Sequence, residues 1–576
     1  MSDFARNNSL IKRKYWEFFF PTIAMALSHS LTTIVDGMIV SVFLGAEQMA
    51  AVNSCIPAPQ LNATIATLIG VGAATKISIA KGRREGKAAD GAFASYVLLL
   101  AVFSAMLLAA YTIFFDHTCA FLSSDKTLAP LSRSYFGTLR WGAPLHIAAA
   151  SLSYIVSAEG HPRISSAAMI TANIVNLLLD IAFIRFFGMG LAGADFASVL
   201  SFCLQLGVLS FAYVFSKRRT VRLAFCAPVK DAFGVIKTGF SAALGLILVG
   251  IKIAFVNKIV TRLAGAEGMI AFSLCIAALS LASLLISGAS NTMMPILGIY
   301  HGEGDRRGAR LVFNYALKIL LLSALGLTVF LEAFPLMFFA LYKITDAATI
   351  AIALPAIRIY AVSLVGVAFA FHYLYFFAGT ERQKASTVIS VVDGLAVIPF
   401  ALGLSRVFGI YGVWLSFVAA EIFCALIVAV LAWAGRNRGA GAQTELLCDF
   451  SFDERQISAA VETIQRFLEN HGVGKEQSLC AALAVEEIAA NSSEFTRKSR
   501  GKKRAVDFDA RLKKIGASLS LLVCDDGESF DPTEYKTSEK MEFAIDHITM
   551  LKKIARKIEW SRVIGLNKTT VLLRGE

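Results

Sequence analysis

Twelve long apolar segments crowd the first 434 residues of this 576-residue chain, and few folds can accommodate them. They lie near 15–43, 49–79, 92–115, 134–158, 164–187, 191–215, 232–261, 267–299, 310–334, 350–378, 386–405 and 411–434. A helix needs about 20 mostly apolar residues to cross the hydrocarbon of a bilayer. In lipid each backbone N–H and C=O must find its partner inside the protein, so such segments form helices. The sequence therefore predicts an all-α polytopic membrane protein with twelve transmembrane helices. Charged residues make up only 17% of the chain, against roughly 25% in soluble domains, which excludes an ordinary soluble enzyme.

The formal net charge of +13 is unevenly spread. Residues 445–576 carry 21 basic and 22 acidic residues, leaving 34 and 20 for residues 1–444. A nucleic-acid partner would want a basic soluble face, and the basic excess lies in the hydrophobic part instead. Its loops alternate. One set holds 21 basic residues, among them Lys12, Lys14, Lys81, Arg84, Lys217, Arg219, Arg306 and Arg382; the other set holds six. The positive-inside rule then places both termini in the cytoplasm, with the chain embedded in a plasma (bacterial inner) membrane. The first apolar stretch is long and flows into a second span, unlike a cleavable signal peptide. Nine cysteines without a CxxC spacing outline neither a zinc site nor a disulfide framework.

The apolar part repeats itself. Gly45-Ala46-Glu47-Gln48-Met49-Ala50-Ala51 is matched 220 residues later by Gly265-Ala266-Glu267-Gly268-Met269-Ile270-Ala271. Cys55-Ile56 meets Cys275-Ile276, and Gly82 meets Gly302, at the same offset; Gly190-Leu191-Ala192-Gly193 resembles Gly409-Ile410-Tyr411-Gly412 at 219. This gives two six-helix repeats, an N-lobe over 1–218 and a C-lobe over 219–436. Two such bundles facing one another are a transporter architecture, with sites expected near the bilayer midplane. A Gly-rich linker over 437–446 leads to a soluble α/β domain over 447–576. Helices are expected at Phe452–Glu469, Glu476–Phe495 and Ala544–Lys557, and strands at Ala505–Leu512, Ala517–Cys524 and Thr569–Leu573.

Ionisable groups inside spans are costly and mark candidate sites. Asp36 stands in the middle of an apolar run. Asn173, Asn176 and Asp180 recur at spacings of three and four, which stacks them on one helix face. A carboxyl so placed can load a proton and release it when a cavity opens to the other side. In the C-lobe, span seven carries Lys237, Lys252 and Lys258 but no acid, and span ten carries Arg358 and His372 but no acid. Asp393 and Glu421 are further C-lobe acids on candidate proton paths.

These residues carry a family resemblance. Ile34-Val35-Asp36-Gly37-Met38-Ile39-Val40 followed by Leu44-Gly45, then Asn173–Asp180, Gly190–Ala194 with Ser198, and Gly302–Ala309, resemble the multidrug and toxic compound extrusion (MATE) family over about 1–436. The resemblance implies a two-lobed secondary antiporter that exports organic, cationic or amphipathic small molecules in exchange for H⁺ or Na⁺. It implies that Asp36, Asn176 and Asp180 carry proton exchange, with Ser198 as a helper hydroxyl. The acid-free spans seven and ten depart from the branch that couples to Na⁺ through C-lobe acids, so H⁺ is the expected coupling ion.

The soluble domain resembles a second family. Ala484–Asn491 is similar to the N-box of the histidine-kinase-like (GHKL) ATPase fold, an α/β sandwich, in its anti-sigma-factor serine kinase branch. Val523–Pro532 looks like its DxGxG box, and Gly565–Thr569 fits its closing strand. This implies ATP and Mg²⁺ as ligands: Glu487 as general base, Asn491 on Mg²⁺, Asp525 reading adenine, Gly527 letting backbone approach the base, and Thr569 as a second adenine contact. Three departures stand out. No glycine lies between Gly527 and Gly565, Phe495 takes the usual histidine position, and Ser529 replaces the second glycine of the box. The family's phosphate-wrapping glycine box is thus missing, with Phe543-Ala544-Ile545 in its place. The leading expectation is a proton-coupled exporter whose cytoplasmic domain regulates it or docks a soluble protein. The alternative is a membrane sensor whose tail acts as a serine kinase or anti-sigma-like switch.

Overall fold

The structure, a computed structural model, describes residues 9–122, 129–215, 221, 229–341, 346–436, 445–500, 505–515, 518–534, 551–552 and 555–573. They fall into two compact units, Tyr15–Arg436 and a smaller one of Met1–Lys14 with Asn437–Glu576.

The larger unit is helical. Eleven of the described helices are long and apolar enough to cross a membrane, from Ser9–Phe43 to Ile410–Ala434. All twelve expected segments are helical, and the one that falls short of that apolar measure is the fourth. The segment expected near 134–158 is the 30-residue helix Ala129–Ala158. Pro144, His146, Ser151 and Ser153 dilute its apolar character. Neighbouring helices satisfy those polar groups instead of water: Tyr96 Oη and Ser151 Oγ are 3.0 Å apart, and Gln205 Nε2 donates to Ser153 Oγ at 3.1 Å. The segments expected at 232–261 and 267–299 form one run, Val229–Gly302, broken at Ala264 and at Gly265, whose φ of +53° favours a glycine.

The repeat is visible in the backbone. Left-handed residues recur in pairs: Gly45 with Gly265, Arg84 with Gly304, Gly190 with Gly409. Ser165 Oγ donates to the Ser153 carbonyl at 3.0 Å, and 221 residues later Ser386 Oγ donates to the Leu374 carbonyl at 2.9 Å.

The halves meet where glycines let backbones touch. A Cβ on Gly82 would stand 2.2 Å from the Ile299 carbonyl oxygen, and one on Gly302 would stand 2.3 Å from that of Ile79. Offset by 220, these contacts are reciprocal, as at a two-fold axis. A second crossing pairs Gly72 with Gly239 in the same manner. The end of the bundle bearing the basic loops is also tied by charge. Arg83 of the N-lobe pairs with Glu381 of the C-lobe, and His301 Nε2 stands 3.5 Å from the same carboxylate. The His301 hydrogen bond and the Arg83 guanidinium hold the Glu381 carboxyl down at about 2. The link is therefore whole above the usual carboxylate range near 4.5 and fails as pH falls toward 2.

The smaller unit is a five-stranded antiparallel sheet of order β1-β2-β3-β5-β4, with β1 Glu445–Asp453, β2 Asp507–Ile515, β3 Ser518–Asp525, β4 Ala555–Val563 and β5 Leu566–Leu573. Helices Ile457–Asn470 and Lys475–Arg500 share its core through Ala460, Ile464, Val485 and Ile488 against Phe450, Phe508, Leu521 and Val571. Strand β1 replaces the end of the expected linker and the start of the expected first helix. Strand β4 takes the last residues of the helix expected at Ala544–Lys557, most of which lies outside the described residues.

Gly302→Ala is expected to lower the thermal midpoint of the purified protein, although alanine is the better helix former. Gly326→Ala, in a helix with open space around the glycine, is expected to leave it unchanged or raise it. Equal responses of the two variants would refute the crossing as a packing constraint.

Candidate functional site in the N-lobe

Three helices build the site. Asp36 comes from Ser9–Phe43, Asn176 and Asp180 from Pro162–Ile181, and Ser198 from Gly190–Phe215. With its amide oriented by its neighbours, Asn176 donates to Asp36 Oδ1 and Oδ2, both at 3.2 Å, and accepts from the Ser198 backbone N–H at 3.3 Å. The Asp36 and Asp180 carboxyls face each other within interacting distance. The site thus gathers two acids, with an amide donor holding Asp36 in place. A π-helical turn, Ala182–Phe186, begins two residues after Asp180, and such turns are frequent at functional sites.

Asn173 shares the helix face but not the cluster. Its Nδ2 donates to Ser28 Oγ at 2.8 Å, two turns along the first helix from Asp36. It pins the same two helices together at a different level.

Asp195, by contrast, belongs to the site and sequence reasoning passed over it. It is fully buried, and neither carboxyl oxygen has a hydrogen-bond partner among the described residues. Tyr135 lies within the electrostatic reach of Asp195, Asp36 and Asp180 together. The available signal was an acid on the glycine-rich segment that also bears Ser198.

A mostly apolar cavity lies between the lobes, walled by Phe18, Met25 and Val71 on one side and by Asn291, Met294 and Pro295 on the other. Thr22, Thr75 and Tyr154 supply its polar edge.

In the smaller unit, Asn491 Nδ2 donates to the Glu487 carbonyl at 2.7 Å and to Glu487 Oε2 at 3.3 Å. Asp525 ends β3 and is buried. Its Oδ1 accepts from Ser492 Oγ at 2.8 Å, Asn567 Nδ2 at 2.8 Å and the Gly527 N–H at 2.9 Å. Burial pushes the Asp525 carboxyl up, against the pull of these donors. A Cβ on Gly527 would strike Thr496 Oγ1 at 2.5 Å, so glycine is needed for close packing there. Thr569 is buried in β5, opposite Val523 of β3 and Trp560 of β4. The glycine-free stretch beyond Gly527, including Phe543–Ile545, lies largely outside the described residues.

Two related helical lobes, buried acids and a cavity between the lobes define the class: a polytopic membrane transporter. The MatE family model matches residues 21–182 and 242–402, once in each lobe, and the chain belongs to that family. The multidrug export protein MepA of Staphylococcus saprophyticus is 22% identical over 433 residues, covering 73% of this chain and 93% of that protein. MepA of Staphylococcus haemolyticus is 23% identical over 421 residues, covering 71% and 91%. Among solved structures, a MOP superfamily transporter from Pyrococcus furiosus, described as having a binding pocket of reverse polarity, superposes with a TM-score of 0.70 at 21% identity. It covers 75% of this chain and 97% of that one. A MATE structure in the bent conformation gives 0.69 at 20% identity, with the same coverage. These structures share the fold of the membrane part.

Asp525→Ala strands three donors, of which each buried one costs about 1–3 kcal/mol when unpaired. The variant is expected to make the C-terminal unit of the full chain at least tenfold more sensitive to limited proteolysis. Wild-type resistance would show that Asp525 is not a hub of that fold.

Proposed function

We propose that this protein exports amphipathic organic compounds in exchange for protons. In this reading both termini face the cytoplasm, and Asp36 and Asp180 carry the exchanged proton. The observation that carries the reading is the gathering of those two carboxyls in one cluster, with Asn176 donating to Asp36. A proton bound there is released when an approaching cation or a widening cleft favours the ionised pair. Asn176 and Ser198 hold the geometry through both states. The relatives named as multidrug export proteins support an organic substrate, and the apolar cavity with its thioethers and aromatic rings suits one. The alternation of basic loops supports the orientation.

For the C-terminal unit we propose a regulatory role, exercised by docking a soluble protein. The order of the Glu487/Asn491, Asp525/Gly527 and Thr569 motifs along two helices and an antiparallel sheet supports descent from a GHKL-like nucleotide domain. The three donors already on Asp525 Oδ1 favour docking over ATP- and Mg²⁺-dependent catalysis, and so favour the exporter over the kinase-like sensor.

Reconstituted vesicles with an imposed pH gradient and ethidium as substrate test the transport reading. Asp36→Asn and Asp180→Asn are expected to cut gradient-driven efflux to background while the protein remains monodisperse. Efflux retained in Asp36→Asn at wild-type protein levels would remove the proton role. Calorimetry of the full chain with ATP and Mg²⁺ tests the tail, with no binding expected. Micromolar binding that is lost in Asp525→Asn would restore the nucleotide reading.

A further inference from the structure

A second set of buried charges lies in the C-lobe. Lys252 stands on the Val229–Gly302 run, Asp393 on helix Gln383–Leu395 and Glu421 on helix Ile410–Arg436. All three are buried, at 5–6% exposure. Lys252 Nζ donates to the Asp393 carbonyl at 3.2 Å and stands 3.8 Å from Asp393 Oδ2. The Glu421 carboxyl faces that of Asp393 within interacting distance. Asp393 Oδ1 and Glu421 Oε2 are both buried and receive no N–H or O–H from the described residues. Two carboxyl oxygens attract one another only with a proton between them. Among the described residues the other titratable groups facing the cluster are Tyr360 and Cys424, with Cys275 beyond Tyr360. Gly366 gives the acid its room, since a Cβ there would stand 2.5 Å from the Glu421 Cβ.

The repeat shows where this cluster lies. Each helix pair has its own register: 220 for the first, from Gly45 and Gly265; 221 for the Ser165 and Ser386 pair; 219 for the Gly190 and Gly409 pair. In those registers Lys252, Asp393 and Glu421 fall on Thr32, Ala172 and Phe202. Each of these is four residues from a member of the N-lobe site: Asp36, Asn176 and Ser198. All three displacements run toward the basic-loop end, and four residues make about one turn, roughly 5.4 Å. The two lobes use the same three helices but place their ionisable groups at different depths.

We propose that Asp393 and Glu421 form a second proton-binding site, with Lys252 as its counter-charge, one helical turn nearer the basic-loop end than the Asp36 site. With Lys252 as an ammonium and one proton on the acid pair, the cluster is uncharged. Releasing that proton to water leaves one net negative charge, which a cation from the cleft must balance. The site's place in transport rests on the proton-exchange reading above; its existence does not.

Infrared difference spectroscopy of the purified full chain, titrated with acid and base, reads protonated carboxyls directly. No substrate or gradient is present, so the result does not depend on whether protons drive export. In the Asp36→Asn/Asp180→Asn/Asp195→Asn variant a protonated-carboxyl band is expected to persist. Adding Glu421→Gln is expected to remove its titrating component, and adding Asp393→Asn should do the same if the glutamine variant does not fold. Lys252→Met in the same background is expected to move the midpoint up by about one pH unit or more. A band unchanged by Glu421→Gln or Asp393→Asn, or a midpoint unmoved by Lys252→Met, would overturn the site. Transport that survives Asp36→Asn alongside a band lost in Glu421→Gln would sink the export mechanism and leave the second site standing.

Discussion

Backbone contact across the pseudo-two-fold axis is the constraint on which this membrane unit depends. At Gly82 and Gly302 each helix presses its chain against a carbonyl of the other, and nothing larger than hydrogen fits. Hydrocarbon surrounds such helices on their outer side, so apolar surface alone cannot drive them together. Close approach, with the dispersion it brings, must do so. The crossing brings the two repeats into register and sets the space between them, from which the interlobe cavity follows. The Arg83–Glu381 pair adds charge at the same end, and the Gly72–Gly239 crossing extends the seam along it.

The carboxyls of the two clusters obey a single rule, from which Asp195 stands apart. An acid in a low-dielectric interior persists only if something balances it. The N-lobe balances Asp36 with an amide and a second acid. The C-lobe balances Asp393 with an ammonium group. Both solutions leave two carboxyls facing one another. Duplication of one six-helix ancestor thus yielded two chemically distinct sites on homologous scaffolds, with apolar residues in each lobe wherever the other places its acids.

Much of this was legible beforehand, and the failures have physical reasons. Asp36 and Asp180 stood out because a lone acid in an apolar run has few structural explanations. Asp195 did not, because an acid a few residues into a glycine-rich helix start reads as an N-terminal charge. Periodicity put Asn173 beside Asn176, but a helix face is several turns long and Ser28 claimed it. The Asp393–Glu421 contact joins residues 28 positions apart on different helices, and no local pattern encodes it. In the smaller unit, β4 is an edge strand carrying Arg556, Lys557, Glu559 and Arg562, charges that guard an open edge and disguise the strand. The short apolar alternation of β1 was lost against a glycine-rich approach. The fourth span reads weakly because serines bonded to neighbouring helices dilute its apolar run.

The glycine crossing has a mechanical consequence. It lies at the last turn of helix Pro57–Arg83, whose 27 residues span about 40 Å. A contact this tight at one tip makes that tip a fulcrum and the remaining length a lever arm. Rotating one half against the other by ten degrees about it carries the far tip through roughly 7 Å, given that length. A gap of that size admits an organic molecule, and opening it this way requires the Gly72–Gly239 crossing on the same helix to part.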